Sequence, residues 1–186
     1  MKETLLIYTS SKQAKAEKIK TILQEQYEVR IIGDQETKQT IGYLFQLPGF
    51  TENTKDENTS FAFDMMILPI MKHEEINALS KQLRDQDLDI ERKAMLTEHN
   101  RHWTLAALLK EVDEEHTYFM KRNELGYLIQ DLMKIDPASL PEVEAVTFKK
   151  MLVDAYDVLQ EQKSIVEDFQ NHYNALQKHF GHHLKK

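Results

Sequence analysis

Residues 96–105 read LTEHNRHWTL and hold the densest group of chemically capable side chains in the chain. His99 and His102 stand three apart, a spacing that puts two imidazoles on one helix face. Imidazole can ligate a metal, move a proton or pair with an anion near neutral pH. The companions for the first two roles are missing. There is no H-E-x-x-H pair and no G-x-S-x-G nucleophile turn. There is no cysteine, which removes thiolate metal sites, disulfides and cysteine nucleophiles. His172, His179 and His183 could share a face near the C-terminus, but Gly181 reads as a helix stop there. A basic last turn also suits the helix dipole. With eight histidines, adventitious nickel or zinc binding is expected, and no physiological metal or cofactor is.

The other chemistry open to this chain is anion binding. Thr9-Ser10-Ser11-Lys12 follows an apolar run, where the N-terminus of a helix offers free N–H groups. Ser10 or Ser11 would equally serve as the cap of that helix. Neither G-x-x-x-x-G-K-[ST] nor G-x-G-x-x-G is present, and only five glycines are available to build one. Phosphoacceptor chemistry of the receiver type needs an acid after the first strand, and none stands there. Asp85, Asp87 and Asp89, like Glu114 and Glu115, read as solvated helix ends or faces. No catalytic residue is assigned, and the reading leans away from an enzyme.

Elements must position these groups. TLLIYT (4–9), YEVRII (27–32), MMILPI (65–70) and RKAMLT (92–97) read as buried strands, with Pro69 at the very end of the third. Helical spacing over 11–26 and 72–87 supplies two crossovers. A third helix is expected through QTIGYLFQL, capped by Asp34 and stopped by Pro48-Gly49. The polar stretch 51–60 reads as a mobile loop. Strands separated by crossover helices pair in parallel. The expected fold class is therefore α/β, a small four-stranded parallel sheet in the order 2-1-3-4 with helices on both faces. In such a sheet ligands bind beyond the C-terminal strand ends, where the strand order reverses. That rule gathers a candidate ligand-binding set of Ser10, Ser11, Lys12, Thr97, His99, Asn100 and His102. Thr97 or Asn100 also reads as the cap of the next helix, whose buried face begins at Trp103 and Leu105.

After residue 100 only helices are expected. The first runs from about 101 to about 134, where Asp136-Pro137 breaks it. The second starts at Ser139-Leu140-Pro141-Glu142, a serine cap with glutamate at the third helical position. Its seam of Ala145, Phe148, Leu152, Ala155, Leu159, Gln162, Val166, Phe169, Tyr173, Leu176 and Phe180 alternates spacings of three and four, as in a coiled coil. Helices of these lengths would span roughly 50 and 60 Å, against about 20 Å for the strands. The chain thus divides into an α/β domain, 1–119, and a helical hairpin extension, 120–186. Such a hairpin leaves apolar surface to cover, either by homodimerisation or a protein partner, or by folding back on the core.

The net charge of −7 argues against nucleic acid or an anionic membrane as partner. No stretch approaches the roughly 18 apolar residues of a membrane span, and the N-terminal run is too short for a signal peptide. A cytosolic location is expected.

Two segments, QTIGYLFQLPGF (39–50) and KAMLTEHNRHWTLAALLKEVDEEH (93–116), together resemble the bacterial family known as domain of unknown function 3783. Gln39, Thr40, Gly42, Tyr43 and Leu44 match its first motif. Leu96, Thr97, Asn100, Trp103 and Thr104 match the second, with Glu111, Glu115 and His116 following. His99 departs from the small or hydroxyl residue of the pattern. The resemblance spans about 1–119 and implies no activity. The leading expectation is a non-enzymatic interaction or regulatory module that self-associates through its helices. The alternative is a binder of a small anion, phosphate or nucleotide, or a weak enzyme, using the crevice.

Overall fold

The computed structural model describes residues 2–10, 12–55 and 57–184, and Ser11 of the candidate set lies outside them. It divides into two compact units, Met1–Asp113 and Glu114–Lys186. In the first, β1 (Glu3–Tyr8), α1 (Gln13–Leu23), β2 (Tyr27–Ile32), α2 (Ile41–Leu44), β3 (Met65–Leu68), α3 (His73–Arg84) and β4 (Arg92–Met95) precede α4 (Leu105–Leu132), which runs through the boundary. The strand order is β2-β1-β3-β4, as the sequence predicts.

The expected all-parallel pairing is corrected at the centre. β1 pairs β2 in parallel and β3 pairs β4 in parallel, but β1 and β3 are antiparallel, with Tyr8 opposite Met65 and Leu6 opposite Ile67. The cause lies in residues 33–64. The predicted crossover helix capped by Asp34 does not form. Instead there is a 3₁₀ turn at Asp34–Glu36, in which Gly33 N–H donates to Glu36 Oε2 at 2.8 Å, and then the four-residue α2. Thr40 Oγ1 caps α2 by accepting from Tyr43 N–H at 3.3 Å. Four residues rise only about 6 Å, so α2 is not a sheet-length crossover. The chain re-enters the sheet beside the end it left, and β3 runs the other way.

Side chains alternate between the two faces of the sheet. Leu5 and Ile7 of β1 pack with Ala16, Ile19 and Leu23 of α1 and with Leu79 and Leu83 of α3. Leu6 and Tyr8 meet Ile41 and Leu44 of α2 and Leu105, Leu108 and Leu109 of α4 on the other face. Residues 5–8 of β1 are buried on both faces, which is why they read as an unbroken apolar run.

The second unit differs from the expected hairpin. The long second helix is two helices, α5 (Glu142–Gln160) and α6 (Val166–Phe180), folded against each other. The break falls at the one polar position of the seam, Gln162. Glu161 leaves the helix with ψ of 125°, Ser164 Oγ donates to the Val158 carbonyl at 2.7 Å, and Asp168 Oδ2 accepts from Ile165 N–H at 2.8 Å. On one straight helix Phe148 and Phe180 would stand about 48 Å apart. Their ring centroids lie 4.9 Å apart, edge to face. Folding the seam lets its two halves, with Leu125, Leu128, Ile129 and Leu132 of α4, bury one another. The start of α5 is also corrected. Ser139 sits in a 3₁₀ turn and donates to the Asp136 carbonyl at 2.6 Å, and Pro141 precedes the helix without a side-chain cap. Among the described residues no helix is long and apolar enough to cross a membrane.

Candidate functional site

The antiparallel centre divides the expected crevice. The C-terminal ends of β1 and β2 lie at one end of the sheet, and those of β3 and β4 at the other. Ser10 and Lys12 therefore belong to one cluster, and Thr97, His99, Asn100 and His102 to another.

The first cluster is built on Thr9 and Asp64. Thr9 Oγ1 donates to Asp64 Oδ1 at 2.8 Å and accepts from Lys12 N–H at 3.0 Å. Thr9 thus satisfies the amide that opens α1, Lys12 precedes that helix without a side-chain cap, and Ser10 is exposed. Lys12 Nζ lies 3.9 Å from Asp64 Oδ2. A hollow here is lined by Lys12, Lys15 and Arg92, but also by Asp64, Asp89 and Glu91. Lys15 Nζ donates to the Asp89 carbonyl at 2.6 Å, and Arg92 is held 2.7 Å from Asp113. A phosphate entering this hollow meets carboxylates as well as ammonium groups, so the cluster does not form an anion cradle. Beside it, burial and a hydrogen bond to Asp34 push the Tyr8 phenol up to about 12. Asp34 and Asp64 join through long-range contacts that no local motif announces.

The second cluster is where the two motif segments meet. Ile41 N–H donates to the Trp103 carbonyl at 2.9 Å, Leu105 N–H donates to the Gln39 carbonyl at 2.8 Å, and Thr40 bridges Thr104. Gln39, nearly buried, accepts from Asn53 N–H at 2.8 Å and donates to its carbonyl at 3.0 Å. Gly42 lies under Phe50: a β-carbon there would stand 2.5 Å from the ring. Gly49 takes φ of +86°, the left-handed region that glycine tolerates, and so turns the chain that carries Phe50.

Asn100 is buried and fully engaged. Its Oδ1 accepts from Thr97 N–H at 2.8 Å, its Nδ2 donates to the Met95 carbonyl at 2.9 Å, and its own N–H donates to Thr97 Oγ1 at 3.0 Å. Thr97 and Asn100 therefore brace each other across the turn after β4. His99 packs edge-on to Trp103 with centroids 5.1 Å apart, and His102 lies 5.1 Å from the Phe50 ring. The two histidines thus face different aromatic neighbours. Around His102 a hollow is lined by Thr40, Pro48, Gly49, Phe50, Thr51 and Arg101. Arg101, absent from the sequence-derived set, lies 2.7 Å from Glu98 and donates to His102 Nε2 at 3.2 Å. Its place between two candidate histidines was the available signal. Among the described residues, the ligand-type side chains near enough to share a metal ion are Glu144 of α5 with His182 and His183, of which only His183 is among the histidines singled out from the sequence.

No curated protein and no solved structure matches the chain. The segment carrying LTEHNRHWT does match a family, whereas QTIGYLFQLPGF lies before the matched region. Residues 64–119, from the residue ahead of β3 into α4, match the family described as Domain of unknown function (DUF3783).

Proposed function

We propose that this chain is a non-enzymatic interaction or regulatory protein that pairs with a second copy of itself through α5. The observation that carries this is an apolar face on the side of α5 turned away from the helical core. Val143, Val146, Val153 and Tyr156 are each more than half exposed, as is Met133 at the end of α4. A groove lined by Ile129, Met133, Leu152, Val153 and Tyr156 adjoins them. Clustered apolar surface of this kind marks interaction sites.

Charge supports a second copy as the occupant. Lys149, Val153 and Asp157 follow one another at intervals of four on the exposed side of α5. Pairing two α5 helices antiparallel about Val153 sets Lys149 of each copy against Asp157 of the other. A two-fold interface makes that contact twice. Light scattering on the full chain across a concentration series tests the reading. A dimer is expected, and a constant monomer at high concentration would overturn it.

A second reading, binding of a small anion, is favoured by the hollow at His102. There the Arg101 guanidinium, the imidazole and the Thr40 and Thr51 side chains line one opening. Thermal-shift screening with phosphate and nucleotides tests it. Stabilisation lost in Arg101→Ala is expected; stabilisation that survives that change, or none at all, counts against it.

A further inference from the structure

We propose that the helical unit binds a zinc ion through Glu144, His182 and His183. Glu144 stands in the first turn of α5, and the two histidines stand in the 3₁₀ turn Gly181–Leu184 that follows α6. Their ligand atoms all lie within 4.8 Å of one another. His183 Nε2 and Glu144 Oε1 are 3.3 Å apart. Two ligands of a tetrahedral zinc ion at about 2.1 Å stand about 3.4 Å from each other, so this pair already has the spacing the ion requires.

Two imidazoles and one carboxylate suit zinc better than calcium or magnesium, which prefer all-oxygen sets. The ring centroids of His182 and His183 lie 3.9 Å apart, so the two imidazoles stand side by side at the Glu144 carboxylate. The backbone beneath is fixed by the packing of Phe148 of α5 on Phe180 of α6. Three protein ligands leave a fourth position for water. Bound there, zinc ties the start of α5 to the end of α6 and locks the folded seam. The site is independent of the dimer face.

Calorimetric titration of metal-free full-length protein with zinc chloride tests the proposal. One ion per chain and a raised melting temperature are expected, with no such rise in magnesium chloride. His182→Ala/His183→Ala should weaken binding by at least the roughly tenfold that loss of a ligand's hydrogen-bond partner costs. Glu144→Gln should weaken it less, and His179→Ala should leave it unchanged. Circular dichroism of each variant confirms that it is folded. Absence of zinc binding, or equal binding by the folded double-histidine variant, overturns the site and reduces the His183–Glu144 contact to a hydrogen bond.

Discussion

The Tyr8 hydroxyl donates to Asp34 Oδ1 at 2.6 Å and accepts from Phe61 N–H at 3.1 Å, joining β1, the turn after β2 and the approach to β3. Burial, then the bond to Asp34, raises the phenol from 10.0 to about 12. The folded state therefore holds the proton more tightly than the unfolded chain does. The resulting stability is complete below pH 10, where both states are protonated, and is lost as pH rises through 12. Tyr8→Phe should cost about 1–3 kcal/mol at neutral pH, because it leaves Asp34 and the Phe61 amide short of a partner. Denaturant titrations across pH should show the wild-type advantage shrinking between pH 10 and 12. An advantage that persists unchanged above pH 12 would contradict the assignment.

Gly42→Ala should destabilise the first unit by about 1–3 kcal/mol, since the added methyl must displace the Phe50 ring from a position 2.5 Å away. Phe50 is also the ring against which His102 rests. The His102 resonances should therefore shift in the variant's NMR spectrum. Unchanged stability and an unchanged His102 would show that Phe50 is not held there.

Asn100→Ala removes two side-chain bonds and strands the Thr97 amide. A loss of about 1–3 kcal/mol is expected. His99→Ala, at an exposed position, should fall within about 0.5 kcal/mol of wild type. Chemical denaturation separates the two, and a His99 variant as damaging as Asn100→Ala would reverse their assigned roles.

Asp168→Ala removes the acceptor for Ile165 N–H at the start of α6 and should cost about 0.5–2 kcal/mol. If α5 and α6 were instead one continuous helix, residue 165 would lie in its interior. The substitution to alanine would then be neutral or stabilising. The sign of the change in melting temperature decides.

Strand positions were legible because burial on both faces leaves a run such as TLLIYT no polar alternation to disguise it. The direction of β3 was not legible. It depends on α2 ending after four residues, with Gln46 at φ of +57° and Phe50 returning onto Gly42, none of which helical spacing records. The seam was legible as apolar spacing, but that spacing serves one long helix and two facing ones equally, and only Gln162 marked the fold. Within the candidate site, the bracing of Thr97 by Asn100 is local and could be read from residue types. The contacts of His102 with Phe50 and of Thr9 with Asp64 join distant segments, and their partners lie in or beside a polar loop without periodicity.

The pairing of α5 about Val153 is tested most directly by exchanging the two charges that flank it. In full-length protein, sedimentation velocity should show dimer for the wild type. Lys149→Asp alone and Asp157→Lys alone should each shift it toward monomer, because like charges then face each other twice. The double exchange should restore the dimer. Single variants that dimerise as well as the wild type, or a double variant that stays monomeric while folded, would contradict the pairing.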